Sequence, residues 1–265
     1  MTLEQLLQDM WLDYCALNPS AKSIYDLLTR QGETVLNDHI AFRTYNLPKV
    51  GLDRLAEPFL NFGYKAKGEY HFKEKKLFAR HYEPTDMRLP KIFISELLVG
   101  EFSPALQKKV RELVEQVPES KVKDPRFLCS GRPWQVAHAD YEMLAKESEY
   151  AAWMSAFGYR PNHFTVNVNA MEKFNDIHRL NQFLQENGHV MNASGGLVKG
   201  SPEAMLEQSS TMAREVPVDF TDGRFQVPAC YYEFAKRYPQ PNGELYHGFI
   251  EKSADKIFES TDRMK

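Results

Sequence analysis

The chain has 265 residues, a formal net charge of −3, and 43% hydrophobic against 26% charged residues. That balance supplies a packed core and excludes wholesale disorder, and the lack of a basic excess argues against a dedicated nucleic-acid binder. Cys15, Cys129 and Cys230 are too scattered for a disulfide framework or a thiolate zinc site. No run is apolar enough to span a bilayer, and the acidic, amphipathic N-terminus is not built like a secretory signal, so the expected compartment is the cytoplasm.

Residues 1–37 read as helical. Leu3, Leu6, Leu7, Met10 and Trp11 recur at helical spacing, as do Ile24, Leu27 and Leu28 after a Pro19-Ser20 break. At Asp38 the pattern changes to DHIAFRTYN, a strand. LDRLAEPFLNFGY follows as a helix, with a kink or boundary expected at Pro58. KKLFARHYEP and KIFISELLV are strands, and the lysines between His71 and Leu77 form a solvated turn. Ser103-Pro104 opens a helix over SPALQKKVRELVEQV, PRFLCSGRPW is irregular, and DYEMLAKESEYAAWMSAFG is a helix stopped by Gly158. The layout then recurs: NHFTVNVNA as strand, MEKFNDIHRLNQFLQENG as helix, the loop SGGLVKGSP, a short helical stretch, and strands around REVPVDF and ACYYEFAKRYP. The expected arrangement is a single domain with a first module over 38–100, a helical insertion over 101–160 and a second module over 161–240. The tail, 241–265, reads as a hairpin or helix without a chemical signal.

Alternation along a strand sorts the polar residues. His39, Ala41 and Arg43 share one face of the first strand, with Ile40, Phe42 and Thr44 on the other. In NHFTVNVN the matching face carries His163, Thr165, Asn167 and Asn169. Glu233 sits among Tyr231, Tyr232 and Phe234, where a carboxylate must be paired, protonated or bound to a metal. Two imidazoles and one carboxylate form the facial triad that suits Fe(II). Taken singly, each histidine reads as structural, and Glu233 could pair with Arg237 or Lys236. Glu96 occupies the place in the first half that Glu233 holds in the second. It is either a fourth ligand or, slightly favoured, the partner of Arg43 or Arg80. His71 and His81 read as a surface pair across a hairpin, and His178 as solvated.

DHIAFRT, NHFTVNVN and YYEFAKR, with SGGLVKGSPEAMLEQSST between the last two, resemble the 2-oxoadipate dioxygenase/decarboxylases, or hydroxyglutarate synthases, over most of the chain from Asp38 onwards. The family is similar in fold to the vicinal-oxygen-chelate superfamily. The resemblance implies an α+β fold in which paired βαβββ modules curl a mixed sheet around one metal, with N-terminal and inserted helices added. It implies that His39, His163 and Glu233 hold Fe(II), and that Arg43 clamps a substrate carboxylate. Lys199, Gln208, Ser209 and Ser210 are further expected substrate contacts, against a plain reading in which they cap helices or face solvent. The implied partners are a 2-oxo acid and dioxygen, with 2-oxoadipate going to 2-hydroxyglutarate and CO2. This chain is more compact than the family's better-known members, so metal ligation transfers more readily than substrate identity.

Two other functions fit the same residues. A glyoxalase-like isomerase, lyase or hydrolase would keep the cup and change the metal, and Glu96 as a fourth ligand would favour it. A non-catalytic binding protein would leave the three ligands structural. Oligomeric state is not legible in the pattern.

Overall fold

The computed structural model describes residues 1–261, so the last four residues of the expected tail lie outside the described residues. In chain order the elements are α1 (Leu3–Leu17), α2 (Pro19–Arg30), β1 (Asn37–Tyr45), α3 (Leu52–Asn61), β2 (Lys65–Phe72), β3 (Leu77–Glu83), β4 (Lys91–Leu97), α4 (Pro104–Glu115), α5 (Glu119–Val122), α6 (His138–Ala145), α7 (Glu149–Phe157), β5 (Pro161–Asn167), α8 (Ile177–Glu186), β6 (Lys199–Ser201), β7 (Leu206–Ser210), β8 (Glu215–Phe220), β9 (Gly223–Pro228), β10 (Tyr231–Arg237) and α9 (Glu251–Phe258).

Eight strands form one curled sheet in the order β2-β3-β4-β1-β5-β10-β7-β6. β1 runs parallel to β4, and β3 and β2 add antiparallel beyond it. In the second half β5 runs parallel to β10, and β7 and β6 add antiparallel. Each half is therefore a βαβββ unit, and the two meet where β1 and β5 pair antiparallel. The β8–β9 hairpin is inserted into the second unit as a separate two-stranded ribbon.

Burial follows from the alternation. α1 starts with a capping box at Thr2 and Gln5 and turns Leu6, Met10 and Tyr14 inward at four-residue spacing. Trp11 and Tyr14 meet Phe164, which β5 sends out of its convex face. Phe42, on the equivalent face of β1, packs on Phe59 of α3. The N-terminal helices and α3 thereby cover the outside of the sheet and leave its inside to polar side chains. α7 is buried from Tyr150 to Phe157 and packs against β1. No helix among the described residues is long and apolar enough to cross a membrane.

Several local expectations are corrected. Lys65–Phe72 is a strand; its charged alternation hides it, because an edge strand can face water. β9 is a second unexpected strand, completing the hairpin begun by β8. The residues after Ser201 make a turn between β6 and β7, with no helix, and α8 is confined to Ile177–Glu186. Pro58 lies inside α3, which runs three residues past it. His81 is buried, held by the Tyr70 hydroxyl at 2.9 Å and Glu83 at 3.1 Å, while His71 stays exposed, so the two do not form a surface pair.

Candidate metal centre

His39 enters the cup from β1, His163 from β5 and Glu233 from β10, three neighbouring strands at the junction of the two modules. One ligand atom from each lies within 4.8 Å of the others, and all three residues are buried. The Glu233 carboxylate is 3.1 Å from His163 Nε2 and 3.8 Å from His39 Nε2. The imidazoles meet edge to face with centroids 5.5 Å apart, so two Nε2 lone pairs and one carboxylate converge on a single small volume. Among the described residues this is the one such group of three.

The backbone explains how both histidines are aimed. Asn37 pairs with Val166 and His39 with Thr165, which leaves Asp38 as an extra residue on β1. Ala41 pairs with His163 and Phe42 with Pro161, which leaves Asn162 as an extra residue on β5. Each histidine is preceded by a β-bulge, a device that re-aims side chains. Asp38 Oδ1 then reaches His39 Nδ1 at 2.9 Å, and Asn162 Oδ1 reaches His163 Nδ1 at 3.1 Å. A carboxylate can only accept, so His39 carries its proton on Nδ1 and presents Nε2 unprotonated, and the Asn162 oxygen does the same for His163. Asp38 is gripped in turn by Arg237 through bonds of 2.6 and 2.8 Å, with Lys91 Nζ 3.9 Å away. Arg237 also donates to the carbonyls of Tyr246 and Gly248, next to Phe249, whose ring lies edge-on to His39 at 4.8 Å.

Burial lowers the basicity of both imidazoles. For His163 the charges of His39 and Arg43 add to the effect, whereas for His39 the Asp38 contact opposes it. Burial pushes the Glu233 carboxyl up to about 8, against a hydrogen bond from Gln208 Nε2 at 2.6 Å and the charges of Arg237 and Lys199. At Asp38 burial acts upward too, but Arg237, Lys91 and the His39 contact outweigh it and hold that carboxyl well below its usual range. Neutral imidazoles beside a buried carboxylate with no cation in contact are the donor chemistry a divalent metal satisfies.

The other expected site residues divide. Arg43 is buried on the cup side, with its guanidinium 4.9 Å and 5.0 Å from the ring centroids of Tyr150 and Trp153. Nη2 donates to Thr261 Oγ1 at 3.2 Å, while Nε and Nη1 have no partner in the protein. Gln208 faces Glu233, and its Oε1 is likewise unpartnered. Ser210 lies opposite Glu233 but its hydroxyl is shared with Ser260 at 2.8 Å. Lys199 is buried, donates to the Asn192 carbonyl at 2.6 Å, and is lowered to about 8 by burial against the pull of Glu233 and Glu259.

Two residues do not belong to the cup. Ser209 pairs with Phe234 on the opposite face of the sheet, where its hydroxyl donates to Asn181 of α8 at 2.7 Å. Glu96 lies beside Thr44, on the outer face of β1 and β4, and accepts from Leu52 N at 2.8 Å. It caps α3, and is neither a fourth ligand nor an ion-pair partner of Arg43 or Arg80. Glu233 pairs with neither Arg237 nor Lys236, since Arg237 is committed to Asp38 and Lys236 donates to the Asn175 carbonyl.

The sequence reading missed Asp38, Asn162 and Arg237. Asp38 and Asn162 each directly precede a candidate ligand, which is the signal that was available. It also missed Tyr231, stacked on His163 with centroids 4.6 Å apart and its hydroxyl unpartnered. The tail has a chemical part after all: Phe249, Ala254, Ile257 and Phe258 close the cup over His39, His163 and Glu233.

Comparison with known proteins agrees with this geometry. The 2-oxoadipate dioxygenase/decarboxylase family matches residues 6–246. A chloroplastic 2-oxoadipate dioxygenase/decarboxylase of Arabidopsis thaliana is 38% identical, over 97% of this chain and 76% of that protein. A crystal structure of rice hydroxyglutarate synthase in complex with 2-oxoadipate superposes with a TM-score of 0.92 at 35% identity, covering 98% of this chain and 91% of that one. A protein of Shewanella frigidimarina, provisionally named a hydrolase, superposes with a TM-score of 0.91 at 51% identity, covering 94% of this chain and 98% of that one. These findings overturn the cytoplasmic expectation, because the curated plant relatives are plastid proteins. Unpaired cysteines and the lack of a spanning run are properties of the folded body, whereas the compartment is addressed by separate, receptor-read segments.

Proposed function

Because the chain belongs to the 2-oxoadipate dioxygenase/decarboxylase family, we propose that it is an Fe(II)-dependent oxidoreductase converting 2-oxoadipate and dioxygen to 2-hydroxyglutarate and CO2. The observation that carries the reading is the convergence of His39, His163 and Glu233 in one buried cup. Unpartnered polar groups of Arg43, Gln208 and Tyr231 accompany them. The net change balances: both atoms of dioxygen end in the hydroxy acid, and no external reductant is consumed.

When bound, Fe(II) supplies a template and a redox centre for dioxygen chemistry on a 2-oxo acid. His39, His163 and Glu233 would hold it. Asp38 and Asn162 keep the imidazole Nδ1 atoms protonated, so both Nε2 atoms carry lone pairs; that of His39 accepts from the Thr165 hydroxyl at 3.0 Å, a contact that a bound metal would replace. Gln208 steers one Glu233 oxygen. Arg43 binds the distal carboxylate through its donors Nε and Nη1, which lie on different edges of the guanidinium and have no other use in the protein. The neutral Tyr231 phenol, its pKa raised by burial, donates to a substrate oxygen. Phe93, Phe249 and Phe258 exclude bulk water, which strengthens each of these contacts. With Glu96 committed to α3, the feature that favoured a glyoxalase-like centre is gone.

The test is oxygen uptake by anaerobically purified, Fe(II)-loaded protein given 2-oxoadipate, with His163→Ala as control. Uptake coupled one-to-one to CO2 and 2-hydroxyglutarate, and lost in the variant, is the expected result. Stoichiometric iron with no uptake on any 2-oxo diacid would sink the proposal.

A further inference from the structure

The cup over the three ligands has a volume of about 20 Å3. A single water needs roughly 10–15 Å3 measured this way, so the cup has no room for a dicarboxylic acid. A second cavity of about 430 Å3 lies on the far side of one aromatic ring. Phe258 lines both spaces, and among their linings it is the shared residue. Arg43 stands at the same boundary: it lines the outer cavity, its guanidinium is 6.0 Å from the Phe258 ring centroid, and its charge acts on His163 inside the cup.

The helix that carries Phe258 is tied down at both ends. Glu251 accepts from His71 N at 2.7 Å at its start. Near its end Asn192 donates to the Lys256 carbonyl and to Ser260 Oγ, and Thr261 accepts from Arg43. Moving α9 as a body would break all of these, whereas rotating one side chain breaks none. The ring itself makes an edge contact with Phe72 at 5.3 Å and no hydrogen bond. Room for a substrate chain between the ligands and Arg43 is therefore obtained most cheaply by displacing the Phe258 ring towards the outer cavity.

We propose that Phe258 is the partition between the metal cup and the outer cavity, and that its bulk sets the upper chain length of the 2-oxo diacid. This rests on the proposed reaction and extends it to specificity. The outer cavity carries Lys75 and Lys76 but also Glu74, Glu147 and Glu149, so its contribution is space, not net charge. A diacid with one methylene more than 2-oxoadipate has to carry its distal carboxylate past Arg43 into the volume that the ring occupies. Removing the ring joins the two spaces.

The experiment measures kcat/KM of the Fe(II)-loaded protein on 2-oxoglutarate, 2-oxoadipate, 2-oxopimelate and 2-oxosuberate, for wild type, Phe258→Ala, Phe258→Leu and Phe258→Trp. Iron content and thermal unfolding are recorded for each. In Phe258→Ala the ratio of 2-oxopimelate to 2-oxoadipate should rise by about tenfold or more, the scale on which one methylene is discriminated. Phe258→Leu should move it the same way by less, and Phe258→Trp should move preference towards 2-oxoglutarate. The leucine variant keeps the test valid if the alanine variant does not fold. Ratios within twofold of wild type in folded, iron-loaded Phe258→Ala or Phe258→Leu would overturn the partition while leaving the reaction intact. A wild type inert on all four acids would overturn the reaction and this inference with it.

Discussion

Asp38 and Asn162 hold equivalent posts: each is the extra residue of a β-bulge, each directly precedes a candidate ligand, and each bonds that histidine's Nδ1, at 2.9 and 3.1 Å. They differ in charge. Asp38 is an anion held by Arg237, so His39 is the more electron-rich donor, and Asn162 gives His163 orientation without charge. Partners of this kind typically change metal affinity by roughly 10–100-fold when removed. Asp38→Asn should therefore weaken iron binding by about that factor, and Asn162→Ala should weaken it less. Chelator competition on the two variants measures both. Equal losses would mean that orientation alone matters. Asp38→Asn also strands a buried guanidinium, so its unfolding temperature is to be recorded alongside.

Arg43 carries two buried donors without a protein partner. Charge-assisted hydrogen bonds of this kind contribute roughly 1.5–3 kcal/mol. Arg43→Met should lower kcat/KM for 2-oxoadipate about 100-fold while iron content stays at the wild-type level. Steady-state kinetics with metal analysis checks it; a parallel loss of iron would place Arg43 in metal retention instead.

Glu96 is a helix cap. Glu96→Ala removes the acceptor at Leu52 N and should cost about 1 kcal/mol of stability. Iron stoichiometry and turnover should be unchanged. A denaturant titration and a metal assay on one preparation decide this, and lost iron would return Glu96 to the metal site.

Lys199 supplies a pH signature. Burial lowers it to about 8, below the roughly 10.4 of an unfolded lysine. Between those values the unfolded chain binds more protons than the folded one, so this group makes stability rise with pH there and costs most below about 8. Lys199→Met removes that dependence. It also loses the bond to Asn192, an offset independent of pH while the bond persists. Relative to wild type, the variant should therefore be more stable at pH 7 than at pH 10. Thermal unfolding at the two values tests it, and an unchanged difference would show that Lys199 is solvated.

Much of the site was legible because a strand's two-residue period sorts side chains before any fold is known. His39 and Arg43 share a face in DHIAFRT, and the hydrophobic alternates Ile40, Phe42, Phe164 and Val166 announce a buried outer face. Glu233 among aromatics announces a buried carboxylate needing a partner. The same rule could have separated Ser209 from Gln208 and Ser210, had the extent of β7 been known. β7 was hidden because the residues before it read as helical and form a turn.

The strand periods, the helical starts and the motifs that carry the family resemblance are local properties of the chain. Which partners those residues meet follows from how distant segments pack together. In a regular strand Asp38 and His39 would point to opposite faces, and it is the register slip against β5 that brings the carboxylate to the ring. Arg237, nearly two hundred positions from Asp38, is committed to it because the curled sheet and the Tyr246–Phe249 segment enclose both. The tail carried no periodicity that marked it as chemical, yet it closes the cup, because a short amphipathic helix declares that it will be buried but not against what. Contacts between residues far apart in sequence arise from packing, which the chain's local pattern constrains without specifying.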